Sequence, residues 1–366
     1  MMTGKTILLF FVLAFVVTAC SNEGSEPTAA PALAGAPTMA APTEITLMTH
    51  DSFDASESVL AEFEQTHNAK IVLLPAGDAG AALNQAILAK DNPLADVFFG
   101  VDNTFLGRAL AAGIFEPYQS PVLTDVPDAL ELDSSHELLP VDFGYVCLNY
   151  DEAWFAEKGL PPPQSLIDLA DPAYKGLLVV ENPATSSPGL AFLLATVATF
   201  GETDDYTYLN YWADLRANDV LVTDGWEDAY WGRFTAASDG ARPLVVSYAS
   251  SPPAEVVFAD PPIAEPPTAT IVSPGSCFHQ VEFVGILKGT PQRELAGALV
   301  DFLLSKSFQE DIPLKMFVYP ANETAALPDV FVRWAPVPAE PATLDPTAID
   351  AHREAWIEAW TEVVLR

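Results

Sequence analysis

The amino-acid sequence predicts an α/β chain of two domains, each built on layers of helix against a largely parallel sheet. Three observations carry that expectation. Strand and helix alternate three times between Glu44 and Ala112, the pattern of layered α/β units. The same alternation resumes after Gly176. Two further strands, Asp142 to Asp151 and Gln280 to Leu287, are candidates for the crossings out of one domain and back. Some 320 residues remain after the N-terminal segments, enough for two domains by size.

The chain starts with an address. Lys5 precedes an apolar run, Ile7 to Val17, followed by Val17-Thr18-Ala19-Cys20. A basic start, a run too short for a stable span and small residues before a cut site make a signal peptide over residues 1–19. Val-Thr-Ala-Cys also resembles the bacterial lipobox, which implies cleavage before Cys20 and lipid on its thiol. Residues 20–43 are rich in Ala, Pro, Thr, Ser and Gly, the composition of a flexible tether. The mature protein is expected on the extracytoplasmic face of the membrane, held by that lipid. No later run is long and apolar enough to cross a bilayer.

The first domain then reads in order. Glu44 to His50 is a strand and Asp51-Ser52-Phe53-Asp54 a turn. Residues 56–67 carry Val59, Leu60 and Phe63 at helical spacing. Ala69 to Leu74 is a strand. Pro75 to Gly80, a small-residue loop, opens a helix from Ala81 to Lys90. Asp96 to Gly100 is a third strand, and Asp102, Asn103 and Thr104 cap a helix to Ala112. Ligands of such sheets sit beyond the carboxyl ends of the strands. The candidates there are His50, Asp51 and Ser52, then Asp78 and Gly80, then Asp102 and Asn103.

In the second domain, Gly176 to Val180 reads as a buried strand and Leu190 to Phe200 as a helix. Thr185, Ser186 and Ser187 lie between them, with Ser187 as N-cap and Pro188-Gly189 opening the helix. Free N–H groups and a positive dipole end at such a place suit the polar or anionic end of a small ligand. A helix over 206–217 follows, then a short strand at 220–223 and a helix starting in Asp224 to Trp231. Pro243 to Tyr248 is a buried strand ending in Ser247-Tyr248-Ala249-Ser250-Ser251-Pro252. Helices over 291–304 and 307–312 and a loop through Met316 to Pro320 precede an amphipathic helix over 345–366. Its Trp356 and Trp360, at i,i+4, read as packing residues.

A net charge of -34 excludes nucleic acid and anionic lipid surfaces as partners, since both need a basic footprint. It is compatible with a cationic ligand, although surface acidity of this kind reads first as solubility or salt tolerance. Cys147 and Cys277 lack metal-site spacing and are candidates for one disulfide in an exported chain. There is no Gly-x-Ser-x-Gly elbow, His-Glu-x-x-His, dinucleotide loop or P-loop. The five histidines are scattered singly. No catalytic residue, metal site or cofactor is assigned. Aromatic residues do gather at loop positions: Trp226, Tyr230, Trp231, Tyr248, Phe317 and Tyr319. Rings stack on flat heterocycles and attract cations, and Glu227 and Asp228 add to the attraction.

Several stretches together resemble a periplasmic-type solute-binding subunit of an ABC importer, specifically the thiamine-binding protein family. They are Thr49-His-Asp-Ser-Phe53, Ala95 to Asn103, Val141-Asp-Phe-Gly-Tyr145, Thr185-Ser-Ser-Pro-Gly-Leu190, Gly225-Trp-Glu-Asp-Ala-Tyr230, Ser247 to Pro252, Gln280-Val-Glu282, Ile312-Pro313, Tyr319-Pro320 and Arg353 to Trp360. In order, they run across nearly the whole chain from residue 44. The resemblance implies a two-lobed type II periplasmic-binding fold. Lobe 1 would be residues 44–145 and 281–366, lobe 2 residues 146–280, with the ligand cleft between them.

It also implies capture of thiamine, its phosphate or a related heterocycle by hinge closure. A monomer would then deliver that ligand to permease and ATPase subunits, with no catalysis. Trp226 falls at a cleft tryptophan, Tyr248 at a cleft tyrosine and Ser186 at a hydroxyl that meets the phosphate end. Ser251 joins the ligand-facing set. The chain departs from the pattern at His50, where the family has Tyr, at Phe317 for Trp, and at Ala254 for Tyr. The loop from Gly77 to Gly80 lacks a family hydroxyl. A ferric-ion or polyamine receptor on the same fold, and a secreted hydrolase, are the alternatives.

Overall fold

The computed structural model describes residues 41–366. The expected signal peptide, Cys20 and nearly all of the expected tether lie outside the described residues.

The first series is β1 (Thr43–Thr49), α1 (Glu57–His67), β2 (Ala69–Pro75), α2 (Ala79–Leu88), β3 (Val97–Asp102), α3 (Leu106–Ala112) and the two-residue β4 (Phe115–Glu116). A long strand follows, β5 (Leu139–Asp151), then α4 (Glu152–Lys158). The second series is β6 (Leu178–Glu181), α5 (Ser187–Phe200), α6 (Tyr208–Ala217), β7 (Leu221–Thr223), β8 (Leu244–Tyr248), α7 (Pro252–Phe258) and β9 (Thr268–Ile271). The chain returns through β10 (Phe278–Leu287), α8 (Arg293–Leu304), α9 (Lys306–Gln309), α10 (Ile312–Lys315) and β11 (Tyr319–Pro320). It ends in α11 (Asp329–Trp334) and α12 (Pro346–Val364).

The main sheet runs β2-β1-β3-β10-β5-β8-β6-β7. Its two wings are parallel: β2, β1 and β3 on one side, β8, β6 and β7 on the other. The centre corrects the expectation of a largely parallel sheet. There β10 runs antiparallel to both β3 and β5, and β5 antiparallel to β8. These two strands carry the chain between wings in opposite directions, so they must meet head to tail. The register of β5 and β10 shifts between Glu282 and Phe283, a bulge that bends the pair.

Helix starts also differ from the sequence reading. Helix α2 begins at Ala79, two residues early, because Asp78 caps it by accepting the Ala79 N–H. Helix α5 begins at Ser187 with Ser186 as the capping residue, one residue before the expected cap. Asp102 closes β3 and accepts the Thr104 N–H, so it shapes a turn and does not cap α3, which starts at Leu106. The helix begun at Trp226 is widened to π over Asp228–Arg233.

Helix α5 is buried from Ser187 to Val197. A Cβ on its Gly189 would meet the Glu181 carbonyl oxygen at 2.5 Å, so only glycine lets the helix start so close to β6. Trp356 and Trp360 of α12 are packing residues, as expected. Trp360 lies edge-on to Trp212 of α6 at 5.5 Å, and the Arg353 guanidinium lies over Phe105 at 5.2 Å.

Cys147 of β5 and Cys277, one residue before β10, form a disulfide across 130 residues of sequence. The bond staples the two crossing strands. Closing so long a loop in the unfolded chain contributes about 4–5 kcal/mol in the chain-entropy account. Replacing both cysteines with alanine is expected to lower the unfolding free energy by about 3–5 kcal/mol in urea titrations. An unchanged midpoint would mean that the strand pairing alone holds the crossing.

Candidate functional site

Strand ends from both wings converge on one cavity of about 720 Å³, within the range of small-molecule sites. From the first wing come His50, Asp51 and Ser52 after β1, then Gly77, Asp78 and Ala79 at the head of α2. From the second come Thr185, Ser187 and Pro188 at the head of α5, Asp224 to Asp228, Tyr230 and Trp231, and Tyr248 and Ser251 after β8. Glu282 lies on the floor, and Lys315, Met316, Phe317 and Val318 form the far side.

One wall is aromatic. Trp226 and Tyr230 stack at 5.0 Å and 21°, with Trp231 edge-on to Tyr230 at 4.9 Å. Two polar atoms of this wall are already bonded. The Trp226 indole N–H donates to Ser247 Oγ at 2.8 Å, and the Tyr230 hydroxyl donates to Glu255 Oε1 at 2.7 Å. The wall is thereby rigid and offers ring faces. Across the cavity Phe317 meets Phe258 edge-on at 5.4 Å. Phe317 has φ +56, a left-handed conformation that a bulky residue rarely adopts, and it lies on the cavity wall.

The lining is acidic. Asp51, Asp54, Asp78, Asp224, Glu227, Asp228 and Glu282 contribute carboxyls, whereas Lys315 is the lysine on the wall and pairs with Asp54 at 3.0 Å. Asp78 accepts three backbone N–H groups: Ala79 at 2.7 Å, Ser187 at 3.2 Å and Trp226 at 3.0 Å. One carboxylate thus ties the starts of three segments. Ser52 Oγ donates to Glu227 Oε1 at 2.8 Å, and the Ala81 N–H donates to Thr185 O at 3.2 Å.

Burial pushes the Asp78 carboxyl above its usual range, although the Trp226 N–H opposes this. Burial alone would lower the His50 pKa, but Glu282, with Nε2 to Oε1 at 3.6 Å, outweighs it, and the imidazole is held above its ordinary value. His50 fits only because residue 100 is glycine, at φ +107. A Cβ there would meet His50 Cδ2 at 2.5 Å.

Eleven of the residues expected at the site from sequence line the cavity: His50, Asp51, Ser52, Asp78, Thr185, Ser187, Trp226, Tyr230, Tyr248, Ser251 and Phe317. Five are placed behind it. Gly80 is buried against Phe105 and the Thr185 backbone. Asp102 is fully buried and bonds Thr104 and the Ser187 hydroxyl. Asn103 joins β3 to β10, donating to His279 O and accepting the Val281 N–H, each at 3.1 Å. Ser186 is fully buried. The Tyr319 hydroxyl donates to Ala335 O at 2.9 Å. Sequence reasoning missed Glu282, Asp224 and Lys315. Glu282 had a signal, as the lone carboxylate in the apolar strand Phe278–Leu287. Among the described residues, no group of three or more His, Cys, Asp and Glu is arranged to hold a metal ion.

Residues 92–338 match the family model for bacterial extracellular solute-binding proteins. A thiamine-binding periplasmic protein of Salmonella typhimurium is 32% identical over 341 residues, covering 91% of this chain and 97% of that protein. Among solved structures, a periplasmic thiamin binding protein superposes with a TM-score of 0.78 at 29% identity, covering 89% of this chain and 97% of the other. Iron-bound HitA from Pseudomonas aeruginosa superposes at 0.70 with 18% identity, covering 88% and 99%. That last likeness is one of fold alone.

The Asp78 bonds make a test of the site's architecture. Asp78→Ala leaves three backbone donors without their acceptor and is expected to cost about 2–3 kcal/mol of stability by denaturant titration. A loss within about 0.5 kcal/mol would show that the carboxylate ties nothing together.

Proposed function

The chain belongs to the bacterial extracellular solute-binding proteins, in the family of the thiamine-binding periplasmic proteins, and we propose that its ligand is thiamine or a closely related cationic heterocycle. As a member of that family it is a non-enzymatic subunit of an ABC importer, acting outside the cytoplasmic membrane. The observation that carries the ligand reading is the Trp226–Tyr230 stack in a cavity lined by carboxylates. A flat ring gains stacking energy on such a face, and a positive charge on it is favoured by both the ring quadrupoles and the acids.

The two-lobed fold closes by hinge motion in this reading. Residues 44–145 with 281–366 form one lobe and 146–280 the other, so β5 and β10 are the crossing strands. The bonds from Asp78 to Ser187 and Trp226, and from Ser52 to Glu227, then span the cleft and hold it closed. The monomer is anchored by lipid on Cys20 and hands its ligand to the permease. Gly80, Asp102, Asn103, Ser186 and Tyr319 support the lining from behind. A ferric site would need free phenolic oxygens, and that of Tyr230 is engaged with Glu255.

Calorimetric titration with thiamine is expected to show saturable one-to-one binding. Trp226→Ala should weaken it by about 10- to 100-fold, because a central aromatic anchor is lost. Undiminished affinity in that variant, or no heat with the native protein, would sink the ligand reading.

A further inference from the structure

Three carboxyl groups stand side by side under the cavity. In the sheet, Glu282 of β10 is paired in register with Asp102 of β3 on one side and with Asp142 of β5 on the other. Directly paired residues lie about 4.5–5.5 Å apart at Cβ. Glu282 reaches the cavity wall. Asp102 and Asp142 are fully buried behind it. Asp102 is bonded by Thr104 and Ser187, whereas Asp142 has only the Glu282 carboxyl as a side-chain neighbour to share a proton with.

The surroundings supply little positive charge. His50 faces Glu282 from the end of β1, with Asp51 beside it, and Asp78 faces the row from the head of α2. The buried Tyr248 phenol faces it from β8. Glu181 of β6 lies behind Asp78, also without a partner. Arg353 approaches Asp102 from α12, but its guanidinium is bonded to Glu354 at 2.5 Å. Three adjacent buried carboxyls cannot all ionise against one imidazole, and at least one keeps its proton.

We propose that the row Asp102–Glu282–Asp142 is the counter-charge for a permanently cationic ligand and exchanges a proton for it. The row holds a proton when the cavity contains no cation, and it releases that proton to water when a cation is seated over Glu282. This rests on the ligand reading above and adds to it a criterion of charge. A fixed cation is selected over a neutral heterocycle of the same shape, since only the cation can replace the proton. Burial and the neighbouring carboxyls push Asp102 up to about 7 and Asp142 well above the carboxylate range, in keeping with a row that is partly protonated near neutral pH. The sign follows: affinity for the cation rises as pH rises through this range and levels off above it.

The test is calorimetry of thiamine binding to the purified protein at neutral pH, in two buffers of different ionisation heat. At that pH the thiazolium charge of thiamine is permanent and its aminopyrimidine is neutral. The native protein is expected to release a sizeable fraction of one proton, up to about one. Asp142→Asn removes one of the three adjacent carboxyls, so the row has less like charge to relieve by holding a proton. Proton release should then fall measurably below the native value, with Asp102 remaining as a buried carboxyl of the row. Glu282→Gln should weaken binding by about 100-fold. Tight thiamine binding by the native protein with no proton released would overturn the proposal and leave the ligand reading standing. A flat thiamine titration would overturn the ligand reading and this inference with it.

Discussion

The architecture depends on one constraint: two strands must cross the middle of the sheet in opposite directions and stay paired. Strands β5 and β10 meet this by antiparallel hydrogen bonding over Phe278 to Val284, interrupted by one bulge. Each wing is an ordinary parallel unit whose helices cover its faces. The two wings' strands are joined in the sheet through this pair. The pair also carries Asp142, Glu282 and the two bridged cysteines. Connection, covalent staple and cavity floor are therefore one piece of structure.

That economy explains why polar groups are buried where an apolar core would be cheaper. A strand that crosses between wings passes under the cavity, so its side chains on that face belong to the floor. Val281 and Phe283 point to one side and serve the core. Gln280 and Glu282 point to the other. The alternation that makes a strand half-apolar is here the means of delivering a carboxyl to the cavity wall.

Much of the two wings was legible in the sequence. Val59, Leu60 and Phe63 repeat at helical spacing, and short β-branched runs such as Lys70 to Leu74 read as strands. The antiparallel centre was not legible, because periodicity reports which face of a strand is buried and says nothing of its neighbour's direction. The head of α2 was placed late because Ala79 and Gly80 have no large side chain to mark a face. At the cavity, strand ends pointed to His50, Trp226 and Tyr248, which line it. The same rule also pointed to Asp102, Asn103 and Ser186, which turn inward. A polar residue at a strand end can bond the nearby backbone as readily as a solute, and Asn103 does so twice. Glu282 went unassigned since its access to the cavity depends on strand register, a long-range property.

The acidic lining has a kinetic consequence. Carboxyls gathered in a concave, low-dielectric wall focus their field outward through the mouth, so a small cation is drawn in from beyond contact distance. Such steering works over about a Debye length, roughly 10 Å at 0.1 M salt and three times that at 0.01 M. Capture would therefore be governed by the ionic strength outside the cell as well as by the amount of solute. In dilute water the protein behaves as a wider target than its cavity, and in brine it shrinks to the cavity itself.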